Sequence, residues 1–329
     1  MKKILLSSLL ALATLVPSTL HADQFERVYN GIRYLLNEED ESATVINDYE
    51  YISEYDHYSK YYGDIVIPDT VYLYQTNEEV TGYAVKKIDG NAFYSSSISS
   101  IVMPNTITSI GEGAFGGCIF LHTVTLSANI TSISDGAFYG CERLVSITIP
   151  DGVKYIGNSA FYECKSLPVI NIPNSTIHIG HRAFGYAIKL VSISIPENVI
   201  SIGDYVFEYC EKLTNVTIPQ GIISIGDGAF DNCSRLASIT NHATVPQTII
   251  PETFNGVNKS TCTLYVPEES IEQYRTAIAW EEFENIKPIR AEGIDQVETH
   301  TQGTKLFRDG QVLILQGDKT YTVTGQEVK

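Results

Sequence analysis

Apolar residues recur along this chain with two periods at once. Within Leu144-Val-Ser-Ile147-Thr-Ile149-Pro150 the alternation Ile-Thr-Ile has the period of two that marks a strand with one buried face. Proline then ends the strand, because it cannot donate the next ladder bond. Beyond it come Val153, Ile156-Gly157, Ala160-Phe161 and Cys164. The longer period is the repeat of this whole unit. Phenylalanine stands at Phe93, Phe115, Phe138, Phe161, Phe184, Phe207, Phe230 and Phe254, at intervals of 22 to 24 residues. Proline keeps the same register at Pro104, Pro150, Pro173, Pro196 and Pro219, with Ser127 in the missing place. Cysteine keeps it at Cys118, Cys141, Cys164, Cys210 and Cys233, with Ala187 in the gap. Three residue types sharing one period make a tandem repeat.

A coil of that length cannot enclose a core, but stacked coils bury Leu, Ile, Phe and Cys in continuous columns. The predicted fold is therefore a mainly β repeat solenoid: a right-handed coil with a parallel sheet on one face and short 3₁₀ or helical turns. Each Ile-Gly is read as a shorter inward contact followed by a bend. The column Glu112, Asp135, Asn158, His181, Asp204, Asp227 is placed to cap the turn carrying Ala-Phe-x-x-Cys. Repeats fill residues 91–262. An N-terminal cap and degenerate first repeat, 23–90, includes the strand-like Asp64-Ile-Val-Ile-Pro68. A C-terminal cap, 263–289, opens with Thr263-Leu-Tyr-Val-Pro267 and continues in a helix-like segment from Glu268 to Trp280. Residues 290–304 read as a linker, and 305–329 as a small β tail of three short strands between turn signals.

Composition narrows the function. The formal net charge of −17 and the lack of any Lys/Arg cluster along the sequence argue against nucleic acid and anionic lipid. Residues 1–22 read as a signal peptide: Lys2 and Lys3, an apolar run from Ile4 to Val16 too short to span a bilayer, then Leu20-His21-Ala22 as a cleavage site. The expected location is the cell surface or the extracellular space, ahead of the periplasm.

The unit Leu-x-x-Ile-x-Ile-Pro-x-x-Val-x-x-Ile-Gly-x-x-Ala-Phe-x-x-Cys, seen in Leu144–Cys164 and Leu213–Cys233, resembles the repeat of the BspA-like leucine-rich-repeat family of bacterial surface proteins. The caps are similar too, in Asn30-Gly-Ile-Arg-Tyr34 and in Leu264-Tyr-Val-Pro267 with Trp280 and Ile286. The resemblance covers residues 30–289. It implies a secreted or surface protein that adheres to host matrix proteins, other cells or glycans, and not an enzyme. The segment from Asp309 to Gln326 resembles terminal tails of the Bacteroidetes phylum, some of them read as type IX sorting signals.

Candidate chemistry is sparse. No nucleophile elbow, phosphate loop, dinucleotide fingerprint or zinc helix occurs, so no catalytic, cofactor or metal residue is assigned. The cysteines read as packed thiols, since Ala187 shares their column and five members cannot all pair. His178 and His181 read as solvated turn residues, and Glu38-Glu-Asp-Glu41 as a solvated acidic face. Two candidate binding surfaces remain. One is the tyrosine-rich first cap, Tyr49, Tyr51, Tyr55, Tyr58, Tyr61 and Tyr62. The other is the outward face of the strands, a neutral hydroxyl and amide surface of Thr123, Thr125, Ser146, Thr148, Asn171, Ser192, Ser194, Asn215 and Thr217. The expected function is a non-enzymatic interaction protein for a protein or glycan ligand. The alternative is a structural envelope component without a specific ligand.

Overall fold

The computed structural model describes residues 24–51, 57–74, 80–289, 304–308, 311–316, 319–322 and 327–328. Its main unit is a mainly β solenoid of about nine turns. Successive coils stack in register through parallel ladders. The first ladder pairs Tyr62–Val66, Ser97–Val102, Thr123–Thr125 and Ser146–Ile147, then resumes as Ser192–Ser194, Asn215–Ile218, Ser238–Asn241, Thr263–Val266 and Asn285–Pro288. Partners such as Ser192, Asn215 and Ser238 stand one repeat apart.

A single proline explains the interruption. In this ladder the N–H of His122 donates to Ser99, that of Val145 to His122, that of Val191 to Pro168 and that of Thr214 to Val191, at 2.8–3.0 Å. The equivalent residue between Val145 and Val191 is Pro168, which has no N–H to offer the Val145 carbonyl. Residues 169–171 accordingly form no strand, and one bridge, Val169 to Ser192, is all that carries the sheet across.

The expected parallel sheet is present, and a second one joins it. The Ile-Gly segment is a second parallel ladder, formed by Ser132–Ile133, Tyr155–Ile156, His178–Ile179, Ser201–Ile202 and Ser224–Ile225. Its glycines are required by close approach between coils. A Cβ on Gly157 would lie 2.5 Å from the Asp135 nitrogen and 2.7 Å from the Ser134 carbonyl carbon; Gly180 and Gly226 are equally crowded.

The Ala-Phe turns are not helical either. Helix occurs only towards the C-terminal end of the described solenoid, as the 3₁₀ turns Pro251–Phe254 and Glu268–Ser270 and the α turn Ile271–Tyr274. In the turns, two residues per coil hold left-handed backbone, for example Ser159 (φ 52°) and Glu163 (φ 58°), where earlier coils have Gly136 and Gly140. Every second N–H group of the turn points along the stack. The N–H groups of Ser159, Phe161 and Glu163 thus donate to His181, Ala183 and Gly185 of the next coil, each at 2.8 Å. The Asp/Asn column follows the same logic. Asp135 Oδ1 accepts the Asn158 N–H (2.8 Å), Asn158 Oδ1 the His181 N–H (2.9 Å), and Asp204 Oδ1 the Asp227 N–H (3.0 Å). Each side chain caps the following coil rather than a helix of its own.

Inside, the repeat phenylalanines form one file. Rings from Phe93 to Phe254 stack at centroid distances of 5.1–5.7 Å, nearly parallel throughout. Tyr61 closes the N-terminal end at 4.8 Å, while Trp280 and Phe283 close the other at 5.3 Å. Every ring of the file is fully buried, worth about 1.5–3 kcal/mol each by transfer plus about 0.5–1.5 kcal/mol per aromatic contact. Ser127 shows how a coil manages without its proline: its buried hydroxyl donates to the Ile107 carbonyl at 2.5 Å.

The N-terminal cap joins both ladders. An antiparallel hairpin, Gln24–Tyr29 with Ile32–Asn37, leads to Ser42–Val45, which runs parallel to Val80–Ile88; that strand in turn pairs with Ser109–Ile110. The second unit, residues 289–329, contains the antiparallel strands Thr304–Arg308, Gln311–Gln316, Lys319–Thr322 and Glu327–Val328, one more than the three expected.

Two substitutions test this account. Gly157→Ala should lower unfolding stability by about 3 kcal/mol, the upper range for an overpacked site that cannot yield, readable as a fall in denaturation midpoint at unchanged slope. Pro168→Val should return the missing donor and add about 1 kcal/mol, the worth of one net backbone hydrogen bond, with a slowly exchanging amide at residue 168.

Candidate functional site

The first ladder turns a flat face outward. Thr123, Thr125, Ser146, Thr148, Asn171, Ser194 and Asn215 are exposed on it, and Ser192 and Thr217 are half-buried. Period-two alternation makes this unavoidable, because Val124, Ile147, Ile193 and Val216 between them point into the core. Asn171 lies in the stretch that Pro168 removes from the sheet. There the face becomes apolar, with Val145, Val169 and Val191 being 46%, 61% and 45% exposed. Isolated exposed valines are ordinary, but these three stand in consecutive coils around the ladder break.

The tyrosine-rich cap divides. Tyr61 is only 3% exposed and belongs to the core; its hydroxyl donates to the Ile46 carbonyl at 2.9 Å and accepts the Arg33 N–H at 3.0 Å. Burial raises its pKa to about 12. This corrects its place among surface candidates. Tyr62, one residue on, is 79% exposed, as strand alternation requires. Tyr49, Tyr51 and Tyr58 lie in the short hairpin Tyr49–Tyr51 with His57–Ser59, and Tyr55 lies outside the described residues.

Each column cysteine is a buried, unbridged thiol donating to the phenylalanine carbonyl of the preceding coil. Cys118 reaches Phe93 at 3.0 Å, Cys141 reaches Phe115 at 3.2 Å, and Cys233 reaches Phe207 at 3.2 Å. Burial pushes the Cys118 thiol up to about 11 and the off-column Cys262 to about 12. His181 is engaged through Nδ1, which lies 3.0 Å from the Asp204 nitrogen and 3.1 Å from Asp204 Oδ2, and His178 is exposed on the second ladder. Among the described residues no group of three or more His, Cys, Asp or Glu is placed to hold a metal ion.

Two features escape a linear reading. On the outside of the Ala-Phe turns, Tyr139, Tyr162, Tyr186 and Tyr209 form a second aromatic file at 4.5–5.4 Å. They follow the repeat phenylalanines by one residue in the first two cases and by two in the others, so strict periodicity hides them. Beside them Glu208 is 6% exposed, paired to Arg182 Nε at 3.2 Å. Burial raises its pKa, with Arg182 opposing the shift. The second feature is a line of cations. The positions just before the repeat leucines from Leu144 to Leu236 hold Arg143, Ser166, Lys189, Lys212 and Arg235, with Phe120 in that place before Leu121. Coiling brings these scattered residues into one column bordering the hydroxyl face, which corrects the inference that the chain lacks a basic cluster.

The repeat is decisive for kinship. Six copies of the BspA-type leucine-rich-repeat model match residues 86–211 and 178–291. The chain belongs to the BspA-type leucine-rich-repeat family. No curated protein sequence matches significantly. Among solved structures, this family member resembles a leucine-rich-repeat protein of Treponema pallidum, 26% identical over 64% of this chain and 91% of that one, with a TM-score of 0.52. A leucine-rich-repeat protein from Bacteroides ovatus is 21% identical, covering 80% and 89% of the two chains, with a TM-score of 0.47. A leucine-rich cell surface protein from Faecalibacterium prausnitzii is 19% identical over 82% and 96%, with a TM-score of 0.37. Members of such repeat families bind other proteins as a rule and are generally not enzymes. No helix among the described residues is long and apolar enough to cross a membrane.

The buried thiols make a testable statement. Burial disfavours the thiolate, the reactive form, so all six cysteines should resist alkylation at pH 8 in the native BspA-type chain. They should react together after denaturation, as counted by mass spectrometry.

Proposed function

We propose that this BspA-type protein is a secreted or cell-surface binding protein that engages a macromolecular ligand, protein or glycan, across the outward face of its first ladder, as in adhesion to a host matrix or to other cells. The observation that carries the proposal is the composition of that face. It presents rows of Ser, Thr and Asn on coils tied by ladder hydrogen bonds on either side of the break at Pro168, with Val145, Val169 and Val191 exposed around that break. A pre-organised surface loses little entropy on binding. An apolar centre with a polar surround is the anatomy of a protein-scale interface. Family membership supports the surface reading, and the signal-like residues 1–22 support export. The exposed Tyr62 and the neighbouring Tyr49, Tyr51, Tyr55 and Tyr58 are a secondary contact region. At the N-terminal end of this face Asp64, the ladder partner of Ser100, accepts the Ser99 and Ser100 hydroxyls at 3.0 and 2.6 Å; the candidate columns from Thr123 to Thr217 hold no His or carboxylate to activate a hydroxyl as a nucleophile, in keeping with a non-enzymatic role.

The test is adhesion of cells displaying the full chain to immobilised extracellular matrix. Thr148→Arg with Ser194→Arg should reduce adhesion at least tenfold, while Thr131→Arg with Ser224→Arg on the second ladder should leave it unchanged. Equal adhesion by all three would sink the binding reading and favour a structural envelope component. Protease shaving of intact cells, with and without residues 305–329, separately checks surface display and whether the tail directs it.

A further inference from the structure

We infer that the column Arg143, Lys189, Lys212 and Arg235, with the sheet face it borders, is a binding edge for a linear anionic glycan of the sulfated or uronic-acid type. The register establishes the column. Ser192, Asn215 and Ser238 are direct ladder partners in successive coils, and Lys189, Lys212 and Arg235 each stand three residues before one of them. Arg143 takes the same position two coils earlier, ahead of Ser146. Ladder geometry puts successive coils about 4.8 Å apart along the axis, so the column runs about 19 Å from Arg143 to Arg235, with Ser166 in the one gap.

These cations are exposed and enter no ion pair within 4 Å among the described residues. Ion pairs elsewhere on the solenoid draw on Lys86, Lys87, Arg182 and Arg275; nearer the line Lys259 pairs with Glu282, and Lys165 bridges Glu142 at 2.7 Å and Glu163 at 3.1 Å. Arg143 lies over the Phe120 ring at 5.1 Å, with its charge still open to solvent. Lys189, Lys212 and Arg235 are all exposed with no ion-pair partner within 4 Å among the described residues. Glu211, next to Lys212 in sequence, is exposed and enters no ion pair within 4 Å among the described residues. Like charges set a few ångströms apart repel one another, so the adjacent unpaired cations Lys189, Lys212 and Arg235 disfavour one another in the fold.

The chemistry of the surroundings selects the partner. A polyanion releases counterions when it meets such a row. A duplex nucleic acid carries phosphates on two strands and needs cations spread across a groove; here one narrow line is flanked by an acidic body. A single extended glycan fits a line. Its hydroxyls would face the Ser, Thr and Asn columns three to five residues on, where Ser192, Ser194, Asn215 and Thr217 supply donors and acceptors.

This inference rests on the binding role proposed above and is tested separately from it. Purified full-length chain is passed over immobilised heparin at low salt, and affinity is measured as salt is raised. The wild type should be retained. Lys189→Glu, Lys212→Glu and Arg235→Glu combined should weaken binding at least tenfold and flatten the log–log salt dependence by about three counterions. A control with equal charge change on other faces, Lys87→Glu, Lys154→Glu and Arg275→Glu, should bind like wild type. Should the triple Glu variant melt early, the Lys189→Gln, Lys212→Gln, Arg235→Gln chain replaces it with the same expected loss. Passage of wild type straight through, or equal weakening of the control, overturns the assignment even where matrix adhesion still depends on Thr148 and Ser194. Tighter binding to single-stranded or duplex DNA than to heparin overturns the choice of a glycan.

Discussion

A coil of 23 residues encloses a few side chains and no independent core, so the structure hangs on contact between one coil and the next. Backbone hydrogen bonds in two ladders and along the Ala-Phe turns hold that contact at ladder spacing. Every other regularity follows from it. Phenylalanines must lie over phenylalanines, thiols under carbonyls, and glycine must stand wherever two backbones pass too closely for a Cβ. Because each coil's stability resides in its neighbours, the ends are where a repeat protein is vulnerable. Tyr61 at one end, and Trp280 with Phe283 at the other, meet the ring file at steep angles of 47°, 58° and 86°.

Much of this was legible in the sequence because the repeat writes the same physical demand many times. The phenylalanine and cysteine columns, the Ile-x-Ile strand and its outward Ser and Thr positions could be placed from spacing alone. Other features could not, each for a physical reason. The second ladder was hidden because only two residues per coil take part, too short for an alternation to show. The Asp/Asn column was misassigned because an Asp before a turn looks the same whether it caps its own turn or the next coil. Left-handed backbone at Ser159 and Glu163, residues that seldom adopt it, removes the helix that Ala-Phe-x-x-Cys suggests. Pro168 sits in plain view, yet its effect depends on which carbonyl it faces, and that is Val145, 23 residues away.

The candidate site was legible in part. Outward positions of the first ladder came directly from period two, and Tyr62 from the same rule. Tyr61 was misread because neighbouring tyrosines in a cap look alike in composition, while strand alternation sends one inward to meet Phe93 and the next outward. The external tyrosine file was missed because its members shift by one residue halfway along.

The line of cations carries the broader lesson. Net charge is a sound guide to long-range forces on a globular domain, where charges three or four residues apart become neighbours on a helix. In a solenoid, neighbours are a whole repeat apart, and a residue type favoured at one repeat position becomes a row on the surface. Selection at a single position of the unit, here the one before the repeat leucine, therefore builds an extended edge of one charge sign on a molecule of the opposite sign. An acidic chain of this kind can repel polyanions at a distance and still hold one along a chosen edge. The balance between those two effects shifts with ionic strength, since screening removes the long-range repulsion within about 8–10 Å while close contacts persist.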